Sequence, residues 1–439
     1  MKIGIVSQWY PPEPAFIPGS LAEELAARGH EVRVLTGYPN YPEGRIHRGY
    51  RQRWGHRSRH GRITVRRVPL YPSHDASALR RAANYASFAL TSSVAAARYL
   101  RGVDALYVYH PPASAFAAAA VARLLHRVPV VLHVQDIWPD SVTASPMTPP
   151  GRAGQLLHSM LDQTMRRIYR TADSIAVIAP SMRDLLVERG ADPAKLRVVL
   201  NWTDESLFRP VESSERARTA LGHRDRCTVM YAGNLGAFQG VEAAVRAAAA
   251  VQHTETLDLV LVGSGTEETS IRALATELGT TNVRFLGRRS PNEMAALYGA
   301  ADYQLVLLRD LPIFRGTIPS KLQAAFACGS PVLACAPGDS AAIVERSGAG
   351  LSCPPEDWRA LAERFTQVAS AAPAVRAEMA RRARETYTAQ MSMRQGVDQL
   401  EELLMSAAQR RTGVQRRTGL RRRSDATSGA AQSLTDVAP

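Results

Sequence analysis

Lysine is scarce in this chain: Lys2, Lys195 and Lys321 stand against 51 arginines. Arginine has taken over wherever a general cation suffices, which makes Lys321 conspicuous within TIPSKLQAAFACGSPVLA (317–334). Pro319 suits the position before or at a helix start, Ser320 has a hydroxyl able to cap it, and Lys321 falls in the first turn. A cation there meets the positive end of the helix macrodipole, at a cost of roughly a few tenths of a kcal/mol. The placement makes sense when an anion lies between the ammonium and the helix end, and a phosphate meets that description. A compact ammonium also fits where a planar guanidinium fork does not. Without a ligand, Lys321 is a chance surface lysine.

Glycine marks three further places. YAGNLGAFQG (231–240) sets Gly233, Asn234 and Gly236 just after an apolar run, with Gly240 ahead of a helical pattern. VGSG (262–265), with Gly263 and Gly265, and FLGR (285–288), ending in Arg288, repeat the arrangement. Backbone without a Cβ lets a diphosphate approach amide groups closely. Each turn taken alone serves tight packing equally well. The sequence has no DxD, no GxxxxGK[ST], no GxSxG and no His/Cys/carboxylate cluster at ligand spacing, so neither a protein-held metal ion nor another cofactor is expected.

The elements that must position these residues follow from length and pattern. A chain of 439 residues, 45% hydrophobic and 21% charged, reads as a globular protein of more than one domain. Apolar runs KIGIVSQ, EVRVLTG, RITVRRVPL, DALYVYH, PVVLHVQD, SIAVIAP and LRVVLN alternate with helical patterns at 78–100, 113–126, 152–171 and 181–189. A second series runs CTVMYAG, LDLVLVG, VRFLG, YQLVLL and PVLACA, with helices between. Such alternation predicts an α/β fold of two doubly wound parallel sheets, residues 1–205 and 206–385, with ligands at the carboxyl ends of the strands and a cleft between the domains. Residues 386–408 read as a helix packing back on the first domain, and 409–439 as a disordered basic tail.

The net charge of +14 is concentrated. Residues 45–67 hold nine arginines and 410–423 hold seven. Either run suits an anionic membrane face or nucleic acid, or is a solvated loop and tail. Few aromatic residues interleave them and no base-reading motif is present, which disfavours nucleic acid. The apolar helices 83–100 and 114–125 read as sheet-flanking helices, with membrane contact by the first as the alternative. Four cysteines without a CxxC pair, no apolar signal core after Met1 and no uncharged membrane span lead to the expectation of a cytoplasmic protein, peripheral at most to the inner face of the plasma membrane.

These motifs jointly resemble the family 4 retaining glycosyltransferases of GT-B fold over about residues 1–405. The shared features are PPEP (11–14), RGHEVRVLTG, HVQDIWPDS (133–141), YAGNLGAFQG, LVGSG, VRFLG and IPSKLQAAFACGSPVLA. YPNYPEG (38–44), VPLYPSHD (68–75), DIWPD and PSKLQ are similar to the bacterial O-antigen and capsule branch, often N-acetylfucosaminyl transferases. The resemblance implies a first domain that binds a saccharide or lipid-linked acceptor through Pro12, Glu13, Tyr41, Trp138 and Asp140. It implies a second that binds a nucleotide sugar, a UDP-sugar by expectation, through Gly233, Asn234, Gly236, Gly263, Gly265, Arg288, Arg315, Ser320 and Lys321. Asp136 and Lys321 would be the catalytic pair. Lys321 would stabilise charge growing on the diphosphate as the anomeric bond breaks, without a metal. Asp136 would position the acceptor hydroxyl or take its proton, its alternative being an aspartate that starts a turn. Two departures stand out. Asn234 and Gln239 occupy the glycine loop where many relatives carry Arg and Lys, and the family's glutamate pair would fall at Gly316 and Ala324. A sugar-nucleotide epimerase of the same fold is the alternative enzyme, although it has no evident use for the acceptor-side motifs.

Overall fold

The structure is a computed structural model describing residues 1–74, 77–140 and 151–411. These form two compact units. The first takes Met1–Ala176, Arg189–Arg197 and, among the described residues, 397–411; the second takes Val177–Glu188 and Val198–Gly396. Helix Pro180–Glu188, which strand–helix alternation assigns to a first domain running to 205, groups with the second unit. One reason is local: the Asp339 carboxylate accepts the Ser181 N–H at 2.8 Å.

The sheet of the first unit contains β1 (Lys2–Val6), β2 (Glu31–Gly37), β3 (Arg57–His60), β4 (Ile63–Val68), β5 (Ala105–His110), β6 (Val130–Val134), β7 (Ser174–Val177) and β8 (Leu196–Val198). Their order is β3-β4-β2-β1-β5-β6-β7-β8. β4, β2, β1, β5 and β6 are parallel neighbours, with Ile3 opposite both Val32 and Ala105. Strands covered by helices on both faces bury every side chain, which is why β1 and β6 read as plain apolar runs. β3 is different. It is the antiparallel edge of the sheet, built from RSRH inside the first arginine run, where charge keeps an edge from pairing with another chain.

Helices Phe16–Ala27, Ala78–Tyr99, Phe116–His126 and Arg152–Thr171 connect these strands. A helix over 393–411 contributes its later turns to the same unit. Arg28 Nη1 donates to Asp398 and Glu401, each at 2.6 Å, and His30 Nε2 meets Glu401 at 2.6 Å. Arg410 and Arg411, the start of the second arginine run, are spent on Ser174 Oγ and on the carbonyls of Val103 and His126. The remainder of that run lies outside the described residues.

The second unit is a six-stranded parallel sheet of β9 (Cys227–Ala232), β10 (Leu257–Val262), β11 (Val283–Gly287), β12 (Tyr303–Leu307), β13 (Val332–Cys335) and β14 (Gly350–Cys353), ordered β11-β10-β9-β12-β13-β14. Val229, Tyr231, Leu259, Leu261 and Leu305 anchor its core. Two elements lie outside the pattern read from sequence. The short helix Glu215–Leu221 sits in a polar stretch and is capped by Ser214, whose Oγ accepts the Ala217 N–H. β14 is the brief edge strand GLSC. The glycine turns fall at the carboxyl ends of β9, β10 and β11, side by side.

Candidate functional site

Those three turns are laced together through backbone. Gly233 N–H donates to Val262 O at 2.8 Å, Leu235 N–H to Ser264 O at 3.0 Å, and Gly263 N–H to Gly287 O at 2.8 Å. Glycine is required at two of the points. Gly263 has φ +135°, and a Cβ there would lie 1.9 Å from Gly233 O; one on Gly265 would lie 2.2 Å from Leu235 O. Gly265 thus supports the edge from behind. The Tyr231 hydroxyl donates to Asn234 O at 2.6 Å and fixes the first loop from below.

Lys321 crosses this edge. Its Cε lies where a Cβ on Gly233 would come within 2.2 Å, and its ammonium sits 4.8 Å from the centre of the Tyr231 ring. No carboxylate among the described residues pairs with it. Burial without an anionic partner pulls its pKa down from 10.5 to about 8. The helix it begins, Ser320–Ala327, is entered from Pro319 at the cap position (φ −64°, ψ 144°) with no side-chain cap. Ser320 is therefore the first helical residue, not the cap expected from sequence, and its hydroxyl is left for the cavity it faces.

That cavity, about 600 Å³, is lined by Gly233, Asn234, Gly263, Ser264, Arg288, Arg289, Ser320 and Lys321, with Phe208, Met294 and Tyr298 supplying apolar wall. Arg288 Nε donates to Ser264 Oγ at 2.6 Å, which aims the guanidinium along the second turn. Three cations and no carboxylate line the space, so its field selects an anion. Arg289, Ser264, Thr203 and Tyr298 belong to the lining without having been singled out in the sequence; for Arg289 the signal was its place beside Arg288. Gly236 and Arg315, named from the resemblance, do not line it. Arg315 is exposed, and its carbonyl accepts the Asp339 N–H at 2.9 Å. A larger depression of about 750 Å³ lies at the amino ends of β9, β12 and β13. Its lining mixes both signs of charge, with Arg376 paired to Asp302 at 2.6 Å and Arg226 to Glu255 at 2.9 Å, and it lacks the glycine edge. The smaller cavity is the candidate site.

In the first unit the acceptor-side residues divide in two. Glu13 is 3% exposed, and its carboxylate accepts N–H groups from Tyr10 (3.1 Å), Asn40 (2.9 Å) and Tyr41 (3.0 Å). It joins the PPEP and YPNYPEG loops and is not presented to a ligand. Burial pushes its pKa up, opposed by those three N–H bonds. Asp140 is likewise a positioning group: Arg189 pairs with it at 2.6 Å and donates to Trp138 O at 3.1 Å. Pro12 is exposed, and Tyr41 and Trp138 are half-exposed. Tyr41 packs 5.4 Å from the Trp9 ring, and Trp138 packs 5.6 Å from His110. Asp136 stands just past β6. It keeps an open face to solvent, yet enough protein surrounds it to hold its carboxyl above the ordinary range. Behind it His133, fully buried and held neutral with its pKa near 3, meets the Tyr107 hydroxyl at 2.7 Å and the Gln135 amide at 3.0 Å. His110 is enclosed with no partner for either ring nitrogen; nothing in its apolar strand DALYVYH flags it.

Among the described residues, no group of three His, Cys, Asp or Glu side chains converges as metal ligands would. Two family models match the chain: a glycosyl transferase 4-like domain over residues 17–202 and glycosyl transferases group 1 over 213–386. A protein of Escherichia coli (strain K12) named as a colanic acid biosynthesis glycosyl transferase, WcaI, is 29% identical over 342 residues, 75% of this chain and 82% of that one. Sucrose-phosphate synthase from Thermosynechococcus elongatus superposes with a TM-score of 0.70 at 22% identity, over 92% of this chain and 98% of that one. Anabaena Alr3699/HepE in complex with UDP-glucose gives 0.63 at 20%, over 92% and 100%. The fold is GT-B.

Proposed function

The chain belongs to the glycosyltransferases that join a family 4-like first half to a group 1 second half, and we propose that it moves a sugar from a UDP-sugar to a lipid-linked saccharide in cell-surface polysaccharide synthesis. The observation that carries the donor half of this reading is the second-unit cavity. It combines three cations, no carboxylate, a glycine edge free of side chains and a helix start around one space large enough for a nucleoside diphosphate. As the anomeric C–O bond breaks, charge accumulates on the departing diphosphate. Lys321 against the Tyr231 ring and Arg288 on Ser264 face that charge already in place, with Arg289 on the exposed rim, and such preorganised donors lower a barrier by about 3–4 kcal/mol each when placed well. Lys321 has the most to gain, since a dianion restores the partner that burial has denied it.

On the first unit, Asp136 is the carboxylate open to an acceptor hydroxyl, with its elevated pKa favouring proton exchange over permanent charge. Tyr41 and Trp138 offer half-exposed rings on which a sugar face can lie. The relative named for colanic acid biosynthesis supports the acceptor class, and retention of configuration follows the family. Metal independence is part of the proposal: three side-chain cations take the place of a divalent ion. The test is incubation with a panel of nucleotide sugars and a lipid-linked acceptor extract, with mass spectrometry of the products. Acceptor-dependent UDP release that persists in a chelator is the expected result. Donor conversion without any acceptor would mean epimerisation instead, and no turnover with any nucleotide sugar would overturn the reading.

A further inference from the structure

The nine arginines of 45–67 divide by what their side chains do. Arg67 is buried and donates to Gly37 O at 3.0 Å and Pro11 O at 2.5 Å, while Arg57 and Arg66 lie over the Tyr99 ring. Arg59 and Arg62 donate to the Gly61 and Gly29 carbonyls. Arg45, Arg48, Arg51 and Arg53 remain, exposed and with no side-chain partner among the described residues. All four stand in the loop 44–56, in the connection that leaves the carboxyl end of β2 and returns to β3. That is the end of the sheet at which Tyr41 follows β2 and Asp136 follows β6. Arg57 and Arg59 belong to the charged edge strand, but edge protection gives no reason for cations on the loop that precedes it.

The loop is tied down from within. His47 N–H donates to Pro39 O at 2.9 Å, and its Nε2 meets Tyr41 O at 3.1 Å. The Tyr38 hydroxyl accepts the Arg53 N–H at 2.8 Å and donates to Arg53 O at 3.0 Å, and Gln52 Oε1 accepts the Leu70 N–H at 2.7 Å. The Tyr50 ring lies beneath the Arg67 guanidinium, whose carbon is 5.3 Å from the ring centre. What the loop leaves to solvent is four guanidinium groups and Trp54, which is 50% exposed. The sequence has no Asp or Glu from 44 to 74, and the Glu43 carboxylate lies 3.5 Å from His47. Like charges held together on a fixed loop repel one another, and an anion relieves that repulsion. A guanidinium fork takes a carboxylate through two parallel hydrogen bonds, and an indole offers a sugar ring a flat apolar face. An acidic saccharide supplies both partners along one chain. A single-stranded nucleic acid is the less favoured occupant, because its bases stack on several exposed rings in succession and Trp54 is the one exposed aromatic residue of this loop.

We propose that loop 44–56 is an acceptor subsite for an acidic saccharide, in which Arg45, Arg48, Arg51 and Arg53 hold uronate carboxylates and Trp54 lies on a sugar face. Tyr41, just ahead of the loop, would hold the end that receives the new sugar, and the loop would hold the residues behind it. The proposal rests on the saccharide-acceptor reading for its purpose, but its test does not require transfer. The full chain is titrated calorimetrically with an oligogalacturonate and with its fully methyl-esterified counterpart, which keeps the rings and removes the charge. The wild type should bind the acid form only, with an affinity that falls as salt rises. R45A/R48A/R51A/R53A should weaken that binding at least about tenfold, and W54A should weaken it less and by a factor that salt leaves unchanged. R98A/R101A/R127A/R170A removes as much charge from exposed positions elsewhere on the first unit and should leave the affinity unaltered. All three variants replace exposed side chains, so their melting temperatures should match the wild type. Equal binding of the ester, an equal loss in the control variant, or an unaltered affinity in the loop variant would each overturn the proposal. So would tighter binding of single-stranded RNA, or of anionic vesicles, that depends on the same four arginines. Saccharide binding as expected, alongside a failure to turn over any nucleotide sugar, would sink the transfer reading and leave the subsite standing.

Discussion

Lys321 should make UDP binding a proton-uptake reaction. In the free protein its pKa is about 8, lowered from 10.5 by burial without an anion beside it. A bound diphosphate supplies that anion and returns the pKa toward its ordinary value. At pH 8.5 about a quarter of the free protein carries the Lys321 proton and nearly all of the complex does, so binding takes up ~0.75 proton; at pH 7 the uptake is ~0.1. Affinity should accordingly fall about tenfold between pH 7 and pH 9. The other groups lining the cavity leave this window clear. Burial raises the phenol of Tyr298 in the lining and that of Tyr231 beneath Lys321, and no carboxylate or imidazole lines the space.

Calorimetric titration with UDP in two buffers of different ionisation enthalpy measures the uptake directly. An uptake below ~0.2 at pH 8.5, or the same uptake in Lys321→Met, would refute the assignment. Stability runs in the opposite sense. A base whose folded pKa is depressed costs the fold most below about 8, and the cost is relieved as pH rises toward 10.5. Ligand-free Lys321→Met should therefore melt higher than the wild type at pH 7, with the gap closing above pH 9.

Lys321→Ala should lower turnover by about 10²–10³, and Lys321→Arg should also be impaired because a planar fork is not a point charge; steady-state rates with saturating donor check both. Asp136→Asn should depress transfer while leaving UDP affinity within about twofold, and a calorimetric loss of UDP binding would remove Asp136 from the acceptor side. Gly263→Ala should unlace the glycine edge, since its Cβ would overlap Gly233 O at a φ of +135°. A cost of about 2–4 kcal/mol in denaturant unfolding, together with weakened UDP binding, is expected.

What could be read from sequence follows from where each residue's partners lie. Buried parallel strands must be apolar on both faces, so β9, β10, β12 and β13 announce themselves as short apolar runs bounded by glycine or polar residues. The edge strand β3 has no buried face to pattern, and RSRH reads as part of a basic loop. Lys321 was legible because composition made it odd. The Tyr231 ring beneath it was not, since a tyrosine in CTVMYA is indistinguishable from core until the ammonium is seen above it.

Carboxylates show the limit most sharply. Glu13, Asp136 and Asp140 all stand in loops at the ends of motifs, and sequence assigns all three to the ligand side. Glu13 is taken up by three amide groups and Asp140 by Arg189. Amide groups have no signature in a sequence, and Arg189 is one arginine among 51. The apolar helices pose the same difficulty in reverse. In ALRRAANYASFALTSSVAAARY the periodicity tells which residues share a face, but Phe88 and Leu90 are equally apolar and only packing decides which is enclosed. Phe88 is fully buried and Leu90 is 69% exposed. A residue that sequence hydrophobicity would place against the sheet is the one left open to solvent.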